Sequence, residues 1–138
     1  MVYGIGCDLC SIARIEKSLL GPHGAVFARR VFGPAEQAAL GLPLAEEEGT
    51  ARRTAHTVAS AAADFAAKEA FLKAAGTGLR EPFSLCEIEA VRLPGGAPAY
   101  HFSGRSAQWV EARRLRAHLS LSHEDGMAMA YCILETET

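Results

Sequence analysis

The stretch from Arg52 to Ala75 constrains the fold more than any other part of the chain. It is rich in alanine, the best helix former, and reads as one long helix closed by Gly76 in the C′ position. Its last turns, FAAKEAFLKAAGTG (Phe65 to Gly78), also carry chemistry. Glu69 and Lys73 are four apart and share a helical face about one turn apart. Lys68, Glu69 and Lys73 lie among Phe65, Phe71 and Leu72, so their charges sit at an apolar boundary. A carboxylate and an amine held at such a boundary suit a metal ion and a phosphate. The same spacing also describes an ordinary ion pair on a solvated helix face, worth about a few tenths of a kcal/mol. The rest of the chain has to decide between them.

A chain of 138 residues, nearly half of them apolar and 22% charged, has the composition of one globular domain, residues 1–138, able to bury a core without staples. A net charge of −2 gives no whole-chain basic footprint for nucleic acid. No apolar run approaches the ~18 residues of a membrane span. The start, MVYGIGCDL, lacks a basic region and a cleavage pattern, so no signal peptide is expected and a cytoplasmic protein is. Cys7 and Cys10 have C-x-x-C spacing, but with only Cys86 and Cys132 besides, no second pair completes a zinc site. Reduced, packed thiols are the expectation.

Val2–Asp8 reads as a strand, and Ser11 as the cap of a helix over Ile12–Leu20 that Gly21-Pro22 closes. Phe27–Phe32 and Pro34–Leu40 read as a broken helical stretch with Pro34 at N1, and Leu42–Gly49 as an acidic loop. After Glu81-Pro82 the period changes. Leu85–Arg92 and Ala99–Phe102 read as strands joined through Pro94-Gly95-Gly96, then Ser106–Leu115 as a helix with Trp109 and Val110 inward. His118–Ser122 and Met127–Leu134 read as strands joined at Glu124-Asp125-Gly126. Helices come mostly first and strands mostly later, which predicts an α+β fold: an antiparallel sheet packed with one long helix and shorter helices.

Asp8 ends the first strand after glycines. Facing a ligand and capping the next helix are equally good readings of it. With Glu69 it supplies two carboxylates to a hard cation, and Mg²⁺ takes that arrangement together with substrate phosphates. Ser120, Ser122 and His123 end Leu-Ser-Leu-Ser-His. Strand neighbours face opposite ways, so phosphate donation or a plain polar turn fits better than a catalytic triad. Gly76-Thr77-Gly78 is too short for a Walker loop. His23, His56, His101 and His118 show no ligand-like spacing.

Three segments together carry a resemblance: GIGCDLCSIARIE (4–16), FAAKEAFLKAAGTGL (65–79) and LSLSHEDGMAMAYCILE (119–135). With their spacing, Gly96-Ala97-Pro98 and the Phe27–Glu36 stretch, the chain resembles the holo-[acyl-carrier-protein] synthase family, the small 4′-phosphopantetheinyl transferases, over essentially its whole length. The resemblance implies a homotrimer with coenzyme A in clefts between subunits. It implies that a serine of an acidic apo acyl carrier protein attacks the β-phosphate of coenzyme A, releasing 3′,5′-ADP, in fatty acid biosynthesis. It implies Asp8 and Glu69 on Mg²⁺ and Lys73 on the phosphoryl group or its leaving group. Lys68, Lys73, Gly76, Thr77, Gly78, Ser122 and His123 are implied along coenzyme A, and Arg14 on the first helix, with Arg29 and Arg30 on the next, as docking cations for the carrier.

Two positions depart from the family pattern. Asp64 stands where an arginine usually precedes FAAKEA, and Glu124-Asp125 follow the Ser-His where Ser/Thr-Lys is common. Both exchanges remove positive charge near the expected nucleotide. They leave open a module that binds coenzyme A or a nucleotide without turnover, and the apolar helix leaves open a purely structural trimerising domain. Release of 3′,5′-ADP separates the first from the transferase. The second has no use for Asp8, Glu69 and Lys73 together.

Overall fold

The computed structural model describes residues 1–44 and 51–137. The acidic loop expected over Leu42–Gly49 falls mainly on residues outside the described ones. Strand β1 (Val2–Ser11) leads directly into helix α1 (Ile12–Leu20), with Ser11 serving both: its side chain accepts a hydrogen bond from the Arg14 backbone N–H at 3.4 Å. Helices α2 (Gly24–Val31) and α3 (Pro34–Leu40) follow, Pro34 standing at the start of α3 as its fixed φ allows. Helix α4 (Ala51–Ala75) then runs for 25 residues and stops at Gly76, whose φ of 79° a side chain would resist.

The second half holds β2 (Ile88–Arg92), β3 (Pro98–Phe102), α5 (Gly104–Ala112), β4 (Leu115–Glu124) and β5 (Met127–Thr136). The strands divide into two antiparallel sheets, a three-stranded one ordered β1-β5-β4 and a β2-β3 hairpin. β1 and β4 both extend past their expected ends. β4 takes in His123, which pairs with Ala128 and does not start the turn. The turn is left to Asp125 and Gly126, both at positive φ.

Side chains alternate across the three-stranded sheet. Ala128, Ala130, Cys132 and Leu134 of β5 point inward and are fully buried under α4. The reason α4 is so rich in alanine lies here. Ala66, Ala67 and Ala70 are fully buried, and opposite them β1 presents Gly4 and Gly6. A Cβ at Gly6 would collide with the Ala70 carbonyl and one at Gly4 with that of Ala74. Small residues on both elements let helix and strand backbones approach closely, which brings side chains at the rim of α4 within reach of β1. The other end of the core is aromatic: Phe71 of α4 meets Phe83, Tyr100, Phe102 and Trp109 at centroid distances of 4.9–6.4 Å. Val110 is buried and Trp109 half-buried, both inward as expected.

A buried ion pair ties α3, α4 and β2 together. Lys68 is fully buried against Glu36 and donates to the carbonyls of Ile88 at 2.6 Å and Leu85 at 3.1 Å. Glu36 accepts from the backbone N–H groups of Gly33 and Ala90, both at 3.0 Å. Buried charges persist where every partner is supplied, and removing one leaves the other uncompensated. Lys68 is therefore a core residue locked to Glu36 and does not reach a ligand, which corrects its place among the coenzyme A contacts.

Candidate active site

Asp8 lies on the inward face of β1 between Gly6 and Cys10, paired in register with Ala130. The neighbouring helix is capped by Ser11, so Asp8 is not its cap. The close approach at Gly6 brings Lys73 to it: the amine donates to Asp8 Oδ1 at 3.0 Å and to the Cys7 carbonyl at 2.9 Å. The Asp8 bond is the main cause of a raised Lys73 pKa, so the amine stays charged. More than half of the Lys73 side chain is nevertheless open to solvent. Lys73 thus takes its protein partner from β1 and keeps donors free, where an isolated helix would pair it with Glu69.

Glu69, one turn back on α4, lines a cavity of about 360 Å³ together with Asp8, Arg14, Ser18, Phe27 and Phe65. Burial raises the Glu69 pKa, the charge of Asp8 raises it further, and Lys73 opposes both. Two carboxylates from different elements therefore share one small, partly apolar space. Among the described residues no group of three or more His, Cys, Asp or Glu side chains is arranged for a metal. Two carboxylates are nonetheless the protein share usual for a hard cation that takes its remaining oxygens from phosphate and water.

The C-x-x-C pair splits across the strand. Cys10 is buried in this cavity wall, its thiol pushed up to about 11, chiefly by burial. Cys7 is exposed on the outer face of the sheet, beside Tyr131 in register, so of the two only Cys10 is packed. Two cysteines on opposite faces of one strand do not bridge.

The remaining expected site residues lie elsewhere. Arg29 and Arg30 are exposed on α2. Gly76 and Gly78 have φ of 79° and 65°, and the Thr77 hydroxyl donates to the Gly78 carbonyl at 3.0 Å, forming a tight turn just past Lys73. Ser122 and His123 line a second, larger cavity of about 680 Å³, with His56, Asp64 and Arg92. At about 100° per residue, the α4 residues of this cavity (Ser60, Ala63, Asp64) lie roughly half a turn around the helix from Phe65 and Glu69. Within one chain, the carboxylate–lysine group and the Ser-His group stand on opposite sides of α4.

His56 and Arg92 are the members that sequence reasoning missed. Neither sits in a motif, and only the packing of β2 on α4 brings Arg92 to Asp64, 3.5 Å away. That separation suits an ion pair but is long for a hydrogen bond, and Asp64 Oδ1 is buried with no hydrogen-bond partner. Burial, and then the charge of Glu36, push the Asp64 carboxyl up to about 7 from 3.8, against Arg92 and Lys68. A carboxyl raised by folding stabilises the native state only where it is protonated in it, so this group costs stability as pH climbs from about 4 to 7. The Asp64→Asn variant should match wild type in thermal unfolding below pH 4 and exceed it increasingly up to pH 7. The gain should then hold constant. A gain that shrinks with rising pH would contradict this.

The chain's relatives agree with this geometry. The model of the 4′-phosphopantetheinyl transferase superfamily matches residues 4–132. The holo-[acyl-carrier-protein] synthase of Leptothrix cholodnii is 39% identical over 137 residues, covering 99% of this chain and 98% of the relative. That of Bordetella pertussis is 42% identical over 135 residues, covering 97% and 83%. Among solved structures, the Neisseria meningitidis synthase superposes with a TM-score of 0.77 at 32% identity, covering 99% of this chain and all of that one. The Bacillus anthracis synthase, solved in complex with CoA (3′,5′-ADP), gives 0.72 at 31% identity, covering 99% of each chain. With its specific segments spread from β1 to β5 and its fold shared along the whole length, the chain belongs to the 4′-phosphopantetheinyl transferase superfamily.

Proposed function

We propose that this protein transfers the 4′-phosphopantetheine group from coenzyme A to a serine of an apo acyl carrier protein, as one cytoplasmic domain serving fatty acid biosynthesis. The observation that carries the reading is the Asp8–Lys73–Glu69 group, built by the close packing of α4 on β1 at the family's most specific motif. The serine oxygen bonds to the β-phosphorus, the bond from that phosphorus to the bridging pyrophosphate oxygen breaks, and 3′,5′-ADP leaves with that oxygen. Phosphoryl transfer asks the protein for alignment and charge neutralisation more than for covalent help. Lys73 holds a positive charge beside Asp8 with donors to spare for a phosphate oxygen. Asp8 is engaged by that amine, which leaves Glu69 to accept the serine proton. Asp8 and Glu69 would hold Mg²⁺, which when bound neutralises pyrophosphate charge. Gly76, Thr77 and Gly78 lie beside Lys73 along the path of the coenzyme.

The separation of Ser122 and His123 from this group is the reason to propose a homotrimer. A site needing both groups is completed when one chain's β4 meets another's α4. The outer face of the three-stranded sheet supports it. Ile5, Leu9, Met129 and Tyr131 stand there in register, 39–65% exposed, with no element covering them among the described residues. A contiguous bare apolar face of this kind marks an interface. Light scattering should give three times the chain mass, and a fully active monomer would refute the shared site.

Arg14 lines the rim of the Asp8–Glu69 cavity, and Arg29 and Arg30 extend that positive face along α2. An acidic carrier would dock there. Rim charges act mostly through steering and are screened by salt. Arg14→Glu should raise the carrier's KM several-fold or more at low salt and leave that of coenzyme A near wild type. An equal rise for coenzyme A would place Arg14 in the nucleotide site instead.

A further inference from the structure

We infer that Arg92, held in place by Asp64, is the residue that selects for a phosphate monoester on the nucleotide, the 3′-phosphate of coenzyme A; this rests on the transfer reaction proposed above. The exchange of arginine for Asp64 removes a cation from α4 at the larger cavity. The fold returns one from β2. Arg92 ends that strand, reaches Asp64 across the cavity wall, and leaves 42% of its side chain exposed. An arginine serving only to neutralise a buried acid would be drawn down into hydrogen bonds with it. Here the contact stays at 3.5 Å, and Asp64 Oδ1, on a side chain 6% exposed, has no hydrogen-bond partner. The guanidinium is steered by the acid yet keeps its fork of N–H donors free.

The same cavity wall carries Ser122 and His123 on β4 and His56 on α4. Hydroxyl, imidazole and guanidinium converging on one space suit a compact anion. Arginine's planar fork matches a terminal phosphate through two parallel hydrogen bonds, which a bridging diester does not offer as well. Asp64 is then a positioning residue and does not contact the anion. Without it, nothing else among the described residues pairs with Arg92.

The test is titration calorimetry of the full chain with 3′,5′-ADP and with 5′-ADP, probes that differ only in the monoester. Wild type should prefer 3′,5′-ADP by about tenfold or more, the scale of a charge-assisted contact. Arg92→Gln should abolish the preference while 5′-ADP binds as before, and Asp64→Asn should weaken it. Should Arg92→Gln fail to fold with Asp64 left unneutralised, Arg92→Lys keeps the charge without the fork and should reduce the preference at least about threefold. A preference unchanged in either arginine variant, or absent in wild type, overturns the assignment. Failure of the transfer reading looks different: the 3′,5′-ADP preference would persist while an apo carrier stays unmodified.

Discussion

Glu69→Gln should fold normally and lose nearly all transfer, with kcat down between about 10²- and 10⁴-fold, the range for a lost proton-transfer group. Glutamine keeps the shape of the side chain but carries no charge for a cation and takes no proton. The fold should not suffer, because Glu69 is no part of the buried Glu36–Lys68 pair and lines an open cavity. Burial and Asp8 both disfavour its ionised form, so the neutral amide should melt at the wild-type temperature or slightly above. Rapid-quench kinetics with saturating coenzyme A and carrier, beside a thermal melt, separate the two effects. Near-normal kcat in a well-folded variant would remove Glu69 from the chemistry.

Lys73→Ala should lower kcat about a hundredfold or more, the scale seen when one preorganised donor to developing charge is lost. The competing account is a surface ion pair with Asp8, worth at most ~1 kcal/mol of stability and little activity. The geometry separates these in advance. The amine is fixed by Asp8 and the Cys7 carbonyl but stays more than half exposed beside the Asp8–Glu69 cavity, a poor arrangement for stability and a good one for meeting a phosphate. Lys73→Arg should rescue only in part, since its flat fork places the charge differently and is bulkier beside Gly6. Near wild-type kcat in the alanine variant would make Lys73 a bystander.

What the sequence disclosed and what it withheld follow one physical division. Local signals held. Alanine content and Gly76 located α4 and its end, Ser11 marked a cap, and the change of period after Pro82 marked the strands. Glu69 and Asp8 were legible as a pair because motif and strand-end position both pointed at them, and they share a cavity. Lys68 misled because it stands beside Glu69 in the same motif. A helix turns about 100° per residue, so that neighbour points into the core, and its partner Glu36 lies 32 positions away with no local trace. Arg92 was invisible for the same reason. Its meaning depends on Asp64, and only tertiary packing brings the two together. The division of the strands into two sheets was equally hidden, since pairing partners are set by the surface α4 offers and not by strand propensity.

The most direct measurement is mass spectrometry of an apo acyl carrier protein after incubation with this protein, coenzyme A and Mg²⁺. The carrier should gain the mass of one phosphopantetheine on its acceptor serine, with 3′,5′-ADP appearing in equal amount, and a carrier with that serine changed to alanine should gain nothing. An unmodified carrier in the presence of folded protein and bound coenzyme A would contradict the transferase account and leave a binding module in its place.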